Sequence, residues 1–261
     1  MFKKIIVFIA PLFLLIACSQ DKNTLRVGTI AGPETELMEV AKQVAKEKYG
    51  LTIKIIEFSD YIEPNAALND GSIDANMFQH QPFLQQQIKD RHYKLISIGK
   101  TFIYPMGIYS TKIKNLAAIP KKAIVAIPSD PSNEGRALLL LQQAGLIKLQ
   151  VKAYLYATPA DIEKNPHQLI FKELDAAQLA RALPDVTLAV INTNYAIPAG
   201  LSPIKDALFH EDKNCPYANI IVIQEKMRND PRMKLLVSAI QSEDVLNAAK
   251  TIFNNQAIPA W

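Results

Sequence analysis

Residues 25–58, LRVGTIAGPETELMEVAKQVAKEKYGLTIKIIEF, carry the pattern that decides the fold. Residues 25–30 predict a strand. From Glu34 to Lys48 the apolar residues Leu37, Val40, Ala41, Val44 and Ala45 fall at the spacing of one face of an amphipathic helix. Gly50 supplies the stop, and residues 52–58 predict a second strand. Strand, helix and strand in succession imply a βαβ unit and a largely parallel sheet.

The alternation continues outward. Residues 61–69 predict a helix closed by an Asp70-Gly71 turn, and residues 73–78 a strand. Residues 82–91 predict a helix with Pro82 near its first turn, where the missing N–H costs nothing. Residues 94–109 are extended and broken at Tyr104-Pro105-Met106-Gly107. A second series then begins. It has strands at 123–127, 151–156, 169–174 and 186–191, with helices at 133–144, 159–164 and 176–183. Residues 192–200 predict a return crossing, followed by a strand at 219–223 and helices at 231–241 and 244–253. A series, a break, a second series and a return predict an α/β fold of two lobes, joined at a hinge by two crossover strands. Lobe 1 takes residues 25–103 and 200–261, and lobe 2 takes residues 104–199. Ligands bind in such folds at the carboxyl ends of the strands.

Upstream, Lys3 and Lys4 precede an apolar run from Ile5 to Ile16. About a dozen residues fall short of the roughly 20 needed to span a bilayer, so residues 1–17 read as a secretory signal. The run closes on Leu15-Ile16-Ala17-Cys18, which resembles the bacterial lipobox, where the cysteine is acylated and becomes the new N-terminus. Cys18 is therefore the expected lipidation site, and residues 18–24 the lipidated tether. The protein is expected at the cell membrane, lipid-anchored and facing the periplasm or the outside. Ser19 stands where, in other bacterial lipoproteins, an aspartate commonly marks retention at the cytoplasmic membrane. The sequence does not choose between inner and outer membrane.

Composition excludes several classes. The formal charge is +4 with acids and bases intermixed and no long basic run, so no nucleic-acid partner is expected. The chain has two cysteines, and once Cys18 is acylated only Cys215 remains, which leaves no intramolecular disulfide. The four histidines are scattered without metal-ligand spacing, so no metal is expected. No GxGxxG, GxxxxGK[ST] or GxSxG motif is present, so no cofactor is expected. No nucleophile–base pair is visible, so an enzyme is not expected.

The strongest local signal runs from Pro128 to Leu141. Asp130, followed by Pro131, or Ser132 can cap a helix there, and a helix start offers free N–H groups and positive potential to an anion. Arg136 adds a cation in the first turns, where the macrodipole disfavours one. Either Glu134 compensates it, or a ligand carboxylate is held in a bidentate fork. The segment alone supports both readings equally. Upstream, Phe78 and His80 stand two apart on one predicted strand face, although a lone strand histidine is more often structural. Tyr61, Phe102 and Tyr104 suit ordinary core packing or a slot for a flexible thioether. Asn192 and Asn219 flank predicted strands, where asparagine serves as a turn or cap residue. An amide there can also accept from an ammonium and donate to a carboxylate.

Taken together these stretches resemble, over nearly the whole mature length, the methionine-binding lipoproteins of ABC importers, the MetQ/NlpA family. The matching segments begin with residues 27–32, 60–65, 74–80 and 101–105, and continue with 133–142, 189–193 and 216–219. The resemblance implies a two-lobed periplasmic-binding-protein fold that captures methionine and hands it to an ABC permease driven by its ATPase subunit. By that resemblance Arg136 grips the carboxylate, and Tyr61, Phe78 and Tyr104 wall the side-chain slot. His80, Asn133, Asn192 and Asn219 supply polar contacts. Cys215 replaces a small polar residue expected beside the site. The competing readings are a binder of another amino acid or short peptide, and a surface lipoprotein with an adhesive or host-facing role.

Overall fold

The computed structural model describes residues 23–152 and 154–261, so the signal and Cys18 lie outside the described residues. The chain opens with β1 (Thr24–Ile30), α1 (Pro33–Tyr49), β2 (Thr52–Phe58), α2 (Glu63–Asp70), β3 (Ala75–His80), α3 (Gln81–Arg91) and β4 (Leu95–Ile103). It continues with β5 (Gly107–Tyr109), β6 (Ile124–Pro128), α4 (Pro131–Gln143), β7 (Lys148–Leu149), β8 (Ile162–Lys164) and β9 (Ile170–Leu174). Next come α5 (Leu179–Ala182), β10 (Leu188–Ile191), α6 (Thr193–Ala196) and β11 (Phe209–His210). The end is β12 (Ala218–Gln224), α7 (Pro231–Ile240), α8 (Glu243–Ile252) and β13 (Ile258–Pro259).

Helix α1 shows why the opening segment folds as it does. Glu34 and Glu36 lie in its first turn and Lys46 and Lys48 in its last, which suits the helix dipole. Leu37, Met38, Ala41, Val44 and Ala45 form its buried stripe, in one core with residues of β1, β2, α7 and α8. Full burial of Leu37 and of Met38 contributes about 1.5–3 kcal/mol each. Gly50 ends the helix at φ 64°, a left-handed conformation that glycine adopts without a Cβ clash.

Two sheets define the lobes. The first has the order β13-β4-β12-β3-β1-β2, with β1 parallel to both β2 and β3. The second has the order β11-β5-β10-β6-β9, with β6 parallel to β9 and β10. The βαβ units pair in parallel as expected, but neither sheet is largely parallel: β12 is antiparallel to β3 and β4, β13 to β4, and β5 to β10 and β11. Two passages join the sheets, residues 104–106 and residues 211–217. They touch each other where the Glu211 N–H donates to the Met106 carbonyl at 3.0 Å.

Four further expectations are corrected. The return is not at 192–200, which forms α6 and a 3-10 turn. Phe209 and His210 still pair with β5, covering its open edge, so the second sheet extends beyond the expected boundary at residue 200. The described residues between 151 and 156 form no strand, and Val151 is 97% exposed. The paired residues are instead Lys148–Leu149 against Ile162–Lys164, and the intervening chain passes over the start of α4. Residues 159–164 are not a helix. Asp161 accepts from the N–H and hydroxyl of Thr158 at 2.9 Å each, closing a single 3-10 turn, after which the chain is drawn into β8. Residues 176–183 divide into a 3-10 turn and the four-residue α5.

A row of rings runs from the C-terminus to the hinge. Trp261 meets Phe102 edge-on at 4.9 Å, Phe102 stacks with Tyr104 at 6.2 Å, and Tyr104 stacks with Phe253 at 4.5 Å.

Candidate functional site

The strands of both sheets deliver their carboxyl ends to one cleft. His80 ends β3 and is the N-cap of α3, its Nδ1 accepting the Phe83 N–H at 3.2 Å. Asp130 follows β6 and caps α4 by accepting the Asn133 N–H at 3.0 Å. Asn192 follows β10. Asn219 lies near the start of β12, opposite His80.

All eight sequence-nominated residues line a single buried cavity: Tyr61, Phe78, His80, Tyr104, Asn133, Arg136, Asn192 and Asn219. Gln79, Phe83, Thr193 and Asn194 complete its wall. Phe102 does not line it and belongs to the row of rings behind Tyr104. One end is apolar, where Tyr61, Phe78 and Phe83 have ring centroids 5.8–6.1 Å apart. Tyr195 of the second lobe closes on Tyr61 at 5.0 Å.

Hydrogen bonding divides the polar residues into those already engaged and those with groups to offer. With Nδ1 capping α3, His80 carries its proton on Nε2, which donates to Asn133 Oδ1 at 3.3 Å. Asn133 Oδ1 also accepts from Asn192 Nδ2 at 2.9 Å, and Asn133 Nδ2 donates to Asp130 at 3.0 Å. His80 and Asn133 thus build the wall with their polar atoms occupied by protein. Burial, followed by the nearby charge of Arg136, pushes His80 down to about 3, so the ring is neutral.

The groups on offer are different ones. Asn192 Oδ1, Asn194 Oδ1 and the Tyr104 hydroxyl are buried without a hydrogen-bond partner. Asn219 gives its Nδ2 to Glu34 at 2.8 Å, and Asn194 gives its Nδ2 to the other Glu34 oxygen at 2.9 Å. Three amide oxygens, those of Asn192, Asn194 and Asn219, therefore lack a donor among the described residues. Burying the Asn192 and Asn194 oxygens unpaired costs about 1–3 kcal/mol each, so the cavity suits a polar guest.

Arg136 is arranged differently from either sequence expectation. Its partner is not Glu134 but Glu211, 75 residues away. Nε donates to Glu211 at 2.8 Å, and Nη2 donates to Glu211 and, at 3.0 Å, to the Tyr104 carbonyl. Glu211 also accepts the Met106 N–H at 2.8 Å. Arg136 is thus fastened to both hinge passages, and its face lies 4.3 Å from the Tyr217 ring centroid. Its Nη1 makes no hydrogen bond within the described residues. Glu134 is instead pushed up to about 7 by burial and by the neighbouring negative charges of Glu173, Asp130 and Asp161. Cys215 lies behind the pair, in a second cavity shared with Arg136, Glu211 and Tyr217, and burial raises its thiol to about 11.

The sequence reading missed Glu34, Glu211, Asn194 and a buried amide cluster beneath the floor. In that cluster Gln79 exchanges hydrogen bonds with Asn65 at 2.6 and 2.8 Å and donates to Asn76 at 3.0 Å. Asn194 carried a usable signal, since it stands two residues after Asn192. Among the described residues no group of three His, Cys, Asp or Glu side chains is placed to hold a metal ion.

Comparison with known proteins completes the description. The family profile described as NlpA lipoprotein matches residues 25–261. The D-methionine-binding lipoprotein MetQ of Salmonella typhi is 51% identical over 252 residues, covering 95% of this chain and 93% of the relative. A periplasmic substrate-binding protein of an ABC transporter from Coxiella burnetii is 63% identical with a TM-score of 0.88, over 90% of this chain and 100% of that one. A nutrient-binding protein from Burkholderia cenocepacia, solved bound to methionine, is 51% identical with a TM-score of 0.89, over 91% of this chain and 100% of that one. The two-lobed fold described above is the one these binding proteins share.

Proposed function

This chain belongs to the NlpA lipoprotein family, and we propose that it is the extracytoplasmic substrate-binding lipoprotein of an ABC importer, capturing methionine and delivering it to a permease driven by an ATPase subunit. The observation that carries this reading is the division of unpaired groups in the cavity. Three amide oxygens at Asn192, Asn194 and Asn219 match the three donors of an ammonium. The Arg136 Nη1 and the Tyr104 hydroxyl supply donors for a carboxylate. The Tyr61, Phe78 and Phe83 rings supply a slot in which sulfur–ring contacts add to apolar burial. His80 and Asn133 hold this wall in shape. The reaction is capture by lobe closure, with no bond made or broken. The names of the relatives, which bind D-methionine or were solved with methionine, support the choice of ligand.

Methionine is expected to raise the melting temperature of the soluble, tail-free protein after bound ligand is removed by partial unfolding. At 100 times its dissociation constant it adds about 2.7 kcal/mol. Leucine, of similar bulk but without sulfur, serves as the control. A melt unmoved by millimolar methionine refutes the assignment.

The same reading tethers the protein through lipid on Cys18, which closes the lipobox-like run Leu15-Ile16-Ala17-Cys18. Cys18→Ala is expected to release the protein from the membrane fraction, with most of the wild type at the cytoplasmic membrane beside its permease. Unchanged membrane association in the variant ends the lipoprotein claim.

A further inference from the structure

Glu34 is a buried acid behind the cavity wall that has no cation among the described residues to balance it. It sits in the first turn of α1 at 1% exposure, and its two oxygens accept only from the neutral amides of Asn194 and Asn219. The titratable groups whose electrostatics reach it are Tyr61, Tyr104 and Tyr195, from the segment before α2, from the hinge and from α6. Burial raises all three phenols, so each is uncharged near neutrality. Arg136 is already balanced by Glu211, and His80 is neutral. Among the described groups only neutral dipoles oppose the cost of burying the Glu34 charge, the hydrogen bonds from Asn219 and Asn194 and the positive end of α1. An ionised Glu34 in the ligand-free cavity is therefore an uncompensated buried charge.

Both amides that hold Glu34 turn their free oxygens away from it. If Glu34 is protonated, its O–H must find an acceptor, and a turn of either amide about its Cβ–Cγ bond presents that same oxygen. A neutral Glu34 thus competes with a guest for its acceptors, whereas an ionised Glu34 fixes both amides by their N–H groups and leaves their oxygens free. An ammonium seated on those oxygens in turn brings positive charge within one amide of the carboxylate, at low dielectric.

We propose that Glu34 is the counter-charge for the ligand's ammonium, acting through Asn194 and Asn219, and that it releases its carboxyl proton to solvent as the ligand seats. This rests on reading the cavity as an amino-acid site. The geometry makes Glu34 a positioning residue and makes capture proton-linked. Burial pushes the ligand-free carboxyl up to about 8 against the pull of the two amide bonds. An ammonium lowers it toward the ordinary carboxylate range of about 4.3. Between about pH 5 and pH 8, binding then releases up to one proton, and affinity rises by up to about tenfold per pH unit before levelling.

Calorimetry with methionine in buffers of different ionisation enthalpy, from pH 5.5 to 8.5, tests this. The wild type is expected to release close to one proton per methionine near pH 6.5 and only about a quarter of one at pH 8.5. Glu34→Gln, which keeps the shape and one accepting oxygen, is expected to bind more weakly, with no proton release and a flat pH profile. If that variant does not fold, difference infrared spectra of the wild type report the same event as loss of a protonated-carboxyl band on adding methionine. Binding heat without proton release, or an infrared band that persists in the complex, overturns the role of Glu34 and leaves the methionine reading standing. No binding heat at any pH overturns both.

Discussion

Arg136→Ala is expected to abolish methionine capture and to destabilise the fold in the same stroke. The guanidinium is 4% exposed and its partner Glu211 is 5% exposed. Removing the cation leaves the Glu211 carboxylate buried with only the Met106 N–H and the neighbouring Cys215 thiol for support. Breaking one side of a buried pair costs about 3–5 kcal/mol, so the loss is far larger than for a surface pair with Glu134, which would be worth under about 1 kcal/mol. The ligand loses its carboxylate donor as well. The two effects are separable. The double variant Arg136→Met with Glu211→Leu removes both charges and is expected to recover much of the stability, but none of the binding. Urea titrations follow the first and calorimetry the second. Near-wild-type affinity in the single variant refutes the assigned role. A single variant as stable as the wild type refutes the structural importance of the pair.

Gly135→Ala is the second large effect. A Cβ at this position in α4 falls inside contact distance of the Leu155 carbonyl oxygen and 2.9 Å from the Ala157 nitrogen. Both are backbone atoms, so the conflict is not relieved by turning a side chain. Alanine is favoured over glycine in a helix by about 1 kcal/mol, but overpacking costs typically 1–3 kcal/mol and here moves either α4 or the segment across it. The expected net result is a lower melting temperature. Methionine affinity is expected to fall at least tenfold, because Arg136 is the next residue and its fork on Glu211 depends on where α4 sits. An unchanged melting temperature and affinity shows that the segment yields freely and defeats this account.

The particular residues explain how far the sequence could be read. The opening βαβ unit was legible because a buried stripe at helical spacing and a glycine stop are local properties. Residues 151–164 were misread for the same reason. Apolar alternation reports a strand only where a partner strand exists, and here the partner of Lys148–Leu149 arrives after a capped turn. In the site, the segments bearing Arg136, His80 and the asparagines were found by their motifs, and all eight nominated residues meet at one cavity. Their division of labour was not legible. His80 and Asn133 are occupied by protein, which only the cross-lobe geometry reveals. Glu34 and Glu211 were passed over because an acid in a sequence defaults to the surface. Glu211 reaches Arg136 only through the hinge topology that brings residues 106 and 211 side by side.

That hinge also bears the row of rings that ends at Trp261. The chain contains one tryptophan, and it stands edge-on to Phe102, which stacks on the cavity residue Tyr104. Emission excited at the red edge of the absorption, where the tyrosines are silent, therefore originates at a single indole, 44% exposed and two rings from the cavity. A lobe movement that shifts this row of rings is expected to change the colour and intensity of that one lamp.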